Sequence, residues 1–116
     1  TTPGDVYSYS NPGYWLAGYA AERAAGKPFA DVLAEELFKP LGMKRTTFRP
    51  TLAMTYPLAQ GHDLVGGQPA VVRPAADNAG VWPSGSMFTS GNDLARFMIA
   101  FLNGGKLDGE QALSPA

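Results

Sequence analysis

Between residues 50 and 86 the chain carries five prolines and five glycines. Proline lacks the amide hydrogen a helix needs, and glycine is the next most costly residue in one, so this density forbids a helix of ordinary length. The stretch therefore separates a helical part before it from a helical part behind it. A loop region this long inside one domain is usually functional. Within it, Gly66-Gly67 stands between Asp63-Leu64-Val65 and Ala70-Val71-Val72, a pattern that predicts a small hairpin.

The flanking parts carry clear helix punctuation. Residues 5–10 are aromatic and polar and read as an extended loop, and Asn11-Pro12 then opens a helix. Asparagine can cap free amide groups, and proline near the start loses nothing there. Leu16, Tyr19, Ala20 and Arg23 follow at helical spacing, and Gly26 suits the left-handed residue that ends a helix. A second helix opens at Pro28, with Phe29, Val32, Leu33 and Leu37 as its apolar stripe, and stops at Pro40. The last helix is the plainest. Ser90-Gly-Asn-Asp93 resembles a capping box, Leu94, Phe97, Met98, Phe101 and Leu102 form an apolar row, and Gly104-Gly105 ends it.

Composition excludes more than it assigns. With 116 residues, 45% of them apolar, the chain can build one modest core. A net charge of -1 and a pI of about 5.7 give no electrostatic case for nucleic acid or an anionic membrane. Lys39, Lys44, Arg45 and Arg49 cluster, but Pro40, Gly42 and two threonines break the run, which reads as a solvated loop. There is no cysteine and one histidine, His62, so cysteine-based and multi-histidine metal sites are excluded. No apolar run approaches the roughly 20 residues that span a bilayer. The chain begins Thr-Thr-Pro-Gly and stops at Leu-Ser-Pro-Ala, and both ends are expected to be cuts from something longer.

From residue types alone, the candidate site is Tyr9-Ser10-Asn11 at the mouth of the first helix. In extended backbone residues 9 and 11 project to one side, so a phenol and an amide can share a pocket while Ser10 faces away. A phenol moves protons when a nearby ammonium lowers its pKa from about 10. The alternative is that Asn11 only caps the helix and Tyr9 is a packed aromatic. His62 has no acid partner at an informative spacing. Ser84-Gly-Ser86 lacks the G-x-S-x-G pattern of a nucleophile turn and reads as a loop needing backbone freedom. Trp82, beside Pro83, is either a pocket wall or a core plug.

Taken together, four stretches resemble a family. They are Tyr-Ser-Asn-Pro-Gly-Tyr at 9–14, Gly-Lys-Pro-Phe at 26–29, Phe-Lys-Pro-Leu-Gly-Met at 38–43 and Thr-Ser-Gly-Asn-Asp-Leu-Ala-Arg-Phe at 89–97. In this order and spacing they are similar to the middle of the β-lactamase-related serine hydrolases, the branch of penicillin-recognising enzymes that includes class C β-lactamases, esterases and D-aminopeptidases. That active site combines an S-x-x-K helix, a Y-x-N loop and a K-T-G or H-x-G strand. Only the middle element is present here.

The resemblance implies a mainly α fragment with a long irregular loop region. It would be most of the helical lobe of an α/β (α+β) fold, with residues 1–116 a partial domain. It implies acyl-enzyme chemistry on an ester, amide, D-peptide or β-lactam, without metal or organic cofactor. Tyr9 would be the proton-relay phenol and Asn11 would bond the absent lysine and the substrate. Trp82, Ser84, Gly85 and Ser86 would line the pocket, wider for having Gly85 where β-lactamases place a tyrosine. Those enzymes also tend to read Tyr-Ala-Asn, so the Tyr-Ser-Asn here points to the esterase and peptidase relatives. The expected partners are a small-molecule or peptide substrate and the missing parts of the chain's own catalytic domain, without which the fragment would be inactive. Relatives are often exported, which leans toward a periplasmic or secreted location. Two rival readings are a penicillin-binding-type module that recognises peptide without turnover, and a free-standing helical binding module.

Overall fold

Ser10 fixes the start of the first helix. Its backbone is extended (φ −140°, ψ 101°), and its hydroxyl accepts a hydrogen bond from the Gly13 amide at 3.2 Å. The cap expected at Asn11 therefore falls one residue earlier. This places Pro12 at the second helical position, where a missing amide hydrogen costs nothing. The computed structural model describes residues 2, 4–72 and 77–114. Pro74 of the loop region, and Thr1, Pro3, Pro115 and Ala116 at the ends, lie outside the described residues.

Helix α1 runs Asn11–Ala25 and ends at Gly26, whose φ of 67° is left-handed and whose amide donates to the Glu22 carbonyl at 2.8 Å. The face that meets other segments runs through Trp15, Gly18 and Glu22, spaced i, i+3, i+7, and Asn11 begins the same row exposed. Gly18 is buried against Pro83, and a Cβ there would lie 2.1 Å from the proline Cγ. Glu22 accepts from the Phe29 amide at 2.7 Å. The apolar residues of the expected row, Leu16 and Tyr19, point outward, at 70% and 60% exposure.

Helix α2 (Phe29–Leu33) opens after Pro28 as expected, then widens into a π-helical turn over Ala34–Phe38. The wider turn holds more residues per revolution, which brings Phe38 round to the buried side with Ala30. Leu41, fully buried, and Met43 follow into the same core. Phe48 is its centre. Its ring lies 5.2 Å from Phe29, 6.1 Å from Phe38 and 6.1 Å from Trp82.

The proline- and glycine-rich stretch holds only short elements. They are a single turn α3 (Pro50–Ala53), the hairpin β1 (His62–Val65) with β2 (Gln68–Val71), and a 3₁₀ turn Ala79–Ser84. The hairpin pairs antiparallel, His62 opposite Val71 and Val65 opposite Gln68, across Gly66 and Gly67. Both glycines have positive φ, 59° and 78°, as a two-residue hairpin turn requires.

Helix α4 (Gly91–Leu102) begins at Ser90, whose hydroxyl accepts from the Asp93 amide at 3.2 Å. The other half of a capping box is absent. Instead the buried Asp93 carboxylate turns sideways and accepts from the Arg45 amide at 2.7 Å and the Thr46 hydroxyl at 2.8 Å. Next to this junction Thr47 and Phe88 exchange two backbone hydrogen bonds of 2.9 Å. The helix buries Asp93 and Ala100, with Phe97 against the core, while Leu94, Met98, Phe101 and Leu102 are exposed.

One element went unforeseen. Behind Gly104-Gly105, β3 (Lys106–Leu107) and β4 (Glu110–Gln111) form a second hairpin around Asp108-Gly109, and Leu107 enters the core. The regular elements among the described residues are thus mostly helical, with two small antiparallel hairpins, as befits part of an α+β fold.

Candidate active site

Because Ser10 does the capping, the Asn11 amide is not spent on the helix. Tyr9 and Asn11 both stand exposed at the start of α1, Tyr9 at 70%, and no hydrogen bond among the described residues engages either side chain. The phenol and the amide are therefore accessible to a ligand. Where Asn11 would have been consumed as a cap, this could not be so.

One helical turn further along the same row, Trp15 meets the 3₁₀ turn. Its indole N–H donates to Ser84 Oγ at 2.8 Å, and the Ser84 hydroxyl donates to the Val81 carbonyl at 3.0 Å. Side chains four apart on a helix are neighbours, and each leans toward the helix N-terminus. The contact therefore holds the 3₁₀ turn against the Trp15–Gly18 stretch of α1, whose first residue is Asn11. The close approach of Gly18 to Pro83 seats the same turn from below.

Beyond Ser84 the chain is exposed through Gly85 and Ser86. Gly85 is extended, but Ser86 holds φ at 64°, a conformation that serine rarely adopts. Phe88 is then caught by its pairing with Thr47. Trp82 faces the other way. Its ring stacks on Phe48, and its indole donates to Asp77 Oδ1 at 3.2 Å, so the core-plug alternative describes where the ring sits.

Trp15 is the residue that sequence reasoning missed. The signal was available: Asn11, Trp15 and Gly18 share one face, and a glycine inside a helix often marks close approach of another segment. His62 stands exposed in β1, with Nδ1 2.9 Å from the Gln60 carbonyl. A cleft of about 400 Å³ between Arg45, Tyr56, Leu58, Met87 and Phe88 includes neither Tyr9 nor Asn11. Among the described residues no group of acidic or histidine side chains is arranged to hold a metal ion, and no helix is long and apolar enough to cross a membrane.

Shifted ionisations lie away from this site, on the charged face of α2. A hydrogen bond from Arg49, 2.8 Å away, holds the Asp31 carboxyl below its ordinary range, and Lys27 does the same for Glu35. Both pairs are partly solvent-exposed and read as supports of the helix.

The chain is similar to known proteins along its whole length. The family model described as Beta-lactamase matches residues 1–116. Protein flp of Staphylococcus aureus strain MW2 is 33% identical over 103 residues, which is 87% of this chain and 20% of that protein. A Beta-lactamase of Pseudomonas fluorescens is 30% identical over 106 residues, 91% of this chain and 28% of the relative. Among solved structures, the D-amino acid amidase of Ochrobactrum anthropi SV3, complexed with L-phenylalanine, superposes with a TM-score of 0.73 at 29% identity. That match covers 98% of this chain and 31% of the amidase. The octameric penicillin-binding protein homologue from Pyrococcus abyssi gives a TM-score of 0.75 at 24% identity, over 98% and 24% of the two chains. This chain thus spans between a fifth and a third of the length of these relatives.

Proposed function

The chain belongs to the β-lactamase family, and from that premise we propose that it supplies the Tyr-x-Asn element of a serine hydrolase whose nucleophile lies elsewhere in the protein. The observation that carries this reading is the freedom of Asn11. Ser10 caps α1, so the amide and the Tyr9 phenol are both accessible at the start of α1, the helix against which the 3₁₀ turn packs.

In this reading a serine from the S-x-x-K helix attacks a carbonyl carbon. Its proton passes toward the Tyr9 phenol and the neighbouring lysine as the new C–O bond forms. Asn11 donates its amide N–H to the substrate carbonyl or amide and holds the lysine with its oxygen. The leaving group takes the proton, and water then releases the acyl-enzyme. Ser84, Gly85 and Ser86 form one wall of the acyl pocket, and Trp82 braces that wall from the core. The amidase likeness and the Tyr-Ser-Asn sequence favour small amides and esters over β-lactams as substrates.

The outward apolar faces, Tyr14, Leu16 and Tyr19 on α1 with Leu94, Met98, Phe101 and Leu102 on α4, are where the rest of the catalytic domain packs. The radius of gyration, 16.9 Å, fits this, since a compact chain of this length has about 13 Å.

The test is Tyr9→Phe in the full-length enzyme. Ester turnover falls about a hundredfold or more while the melting temperature holds, since a positioned acid/base contributes about 10²–10⁴-fold. A kcat within twofold of the parent sinks the proposal. Stoichiometric acylation of the full-length protein without turnover would instead favour recognition over hydrolysis.

A further inference from the structure

The stretch from Ser84 to Phe88 is held at its two ends and bare between them. At one end the Trp15 indole grips the Ser84 hydroxyl, and at the other Thr47 pairs with Phe88. Gly85 and Ser86 span the gap in solvent, and Ser86 keeps a left-handed backbone. A non-glycine residue leaves that conformation readily unless its surroundings impose it. The surrounding contacts are the two anchors together with the Gly85 amide, which donates to the Trp82 carbonyl at 3.0 Å. Thr47–Phe88 is a backbone pairing that any side chains could make. Trp15–Ser84 depends on two particular side chains and ties the span to the helix that carries Asn11.

We infer that Trp15 is a positioning residue: through Ser84 it sets the height of the Gly85–Ser86 backbone beside Asn11, and so decides how wide an acyl group the site admits. This rests on the hydrolase reading above. Trp15 is suited to the task because an indole reaches across from α1 and offers one directed donor at its far edge. Gly18 and Pro83 below it fix how closely the two segments approach, and the hydrogen bond adds the directed tie at the edge nearest Gly85. Phenylalanine at position 15 keeps the ring and removes the donor.

The experiment compares the full-length protein with its Trp15→Phe, Ser84→Ala and doubly substituted forms. Each is assayed on p-nitrophenyl acetate and on the p-nitrophenyl ester of a bulky acid such as 4-phenylbutyrate. The expected result is a change of about fivefold or more in the ratio of kcat/KM between the two esters, as a lost hydrogen bond of ordinary strength gives. The change appears mainly in KM for the bulky ester. The double variant adds little to Ser84→Ala, because the bond that Trp15→Phe removes is already gone there, along with the Ser84 bond to the Val81 carbonyl. Equal losses on both esters, or additive effects in the double variant, overturn the inference. Tyr9→Phe run alongside separates the two ideas: if it abolishes turnover while Trp15→Phe leaves the ratio untouched, the hydrolase reading stands and the positioning role falls. If the parent cleaves neither ester, the hydrolase reading falls, and amide hydrogen exchange over residues 84–88 decides the positional part. Faster exchange in Trp15→Phe supports the anchor, and unchanged exchange removes it.

Discussion

The junction of Thr46–Phe48 with α4 and the proposed rim of Tyr9, Asn11, Gly85 and Ser86 are built on opposite rules. At the junction no buried side-chain polar atom among the described residues lacks a partner. Asp93 is buried with bonds from Arg45 and Thr46, Thr46 also meets the Thr89 hydroxyl at 2.8 Å, and Phe48 packs among three aromatic rings. At the rim the side chains are exposed, Tyr9 and Asn11 have no partner among the described residues, and Ser86 holds an unfavourable backbone. The junction stabilises and the rim is left available. Substitutions in the two places should therefore separate stability from activity.

The largest stability effect is expected at the centre of the junction. Phe48→Ala removes the ring that Phe29, Phe38 and Trp82 share, and costs about 3–5 kcal/mol in urea unfolding of the full-length protein. Turnover per folded molecule should fall far less than it does in Tyr9→Phe. If Phe48→Ala leaves the unfolding midpoint in place, the aromatic cluster is not the core that it looks to be.

Asp93→Ala comes next. It strips the acceptor from the Arg45 amide and the Thr46 hydroxyl, and a buried donor left unmade costs about 1–3 kcal/mol. The loss should be entirely in stability. A variant as stable as the parent but slower on substrate would place Asp93 with the rim and dissolve the comparison.

How far the sequence announced these two regions follows from how local their causes are. The starts and ends of α1 and α4 were legible, because Pro12, Gly26, Ser90 and Gly104 act within a few residues of themselves. The Gly66-Gly67 hairpin was legible for the same reason. The identity of the first cap was not, since Ser10 and Asn11 are both capable and only the backbone decides between them. Facing was lost more widely. The helical spacings read in α1 and α4 named no inward side: Leu16, Tyr19, Leu94 and Phe101 face out, and the buried positions run through Gly18, Asp93 and Ala100 with Glu22 half-buried beside them. Periodicity marks a helix but cannot say which of two half-apolar faces this part of the molecule covers. The Trp15–Ser84 and Asp93–Thr46 bonds join residues 69 and 47 positions apart, which no local pattern records.

Ser10→Ala tests the boundary between stabilising and available residues with a smaller effect. Losing the cap costs about 1 kcal/mol in helix stability. Because Asn11 is the first residue of that helix, fraying there should lower kcat more than the unfolding midpoint suggests. Ser10→Asp, which restores an acceptor, should recover both. If Ser10→Ala costs stability alone, Asn11 is not held by the helix start.

The smallest effect belongs to the charged face of α2, and there pH is the sharper probe. Arg49 donates to Asp31 at 2.8 Å and holds its carboxyl below the ordinary carboxylate range, although both side chains are partly in water. A carboxyl whose folded value is depressed binds its proton more readily when the chain unfolds. Its contribution is therefore present above the unfolded value, about 4, and is lost as pH falls through the lower folded value. The stability difference between the parent and Asp31→Asn should accordingly be level from about pH 8 down to about pH 5 and then shrink toward zero in acid. Salt should reduce the neutral-pH difference, as expected for a pair that water reaches. Glu35, depressed through Lys27, should behave in the same direction when replaced by glutamine. Neither replacement should move turnover at neutral pH, because these pairs support α2 and are not joined to the rim. Denaturation curves between about pH 3 and pH 8 decide this: a difference that grows in acid would reverse the sign and rule out the Arg49 pair as its source.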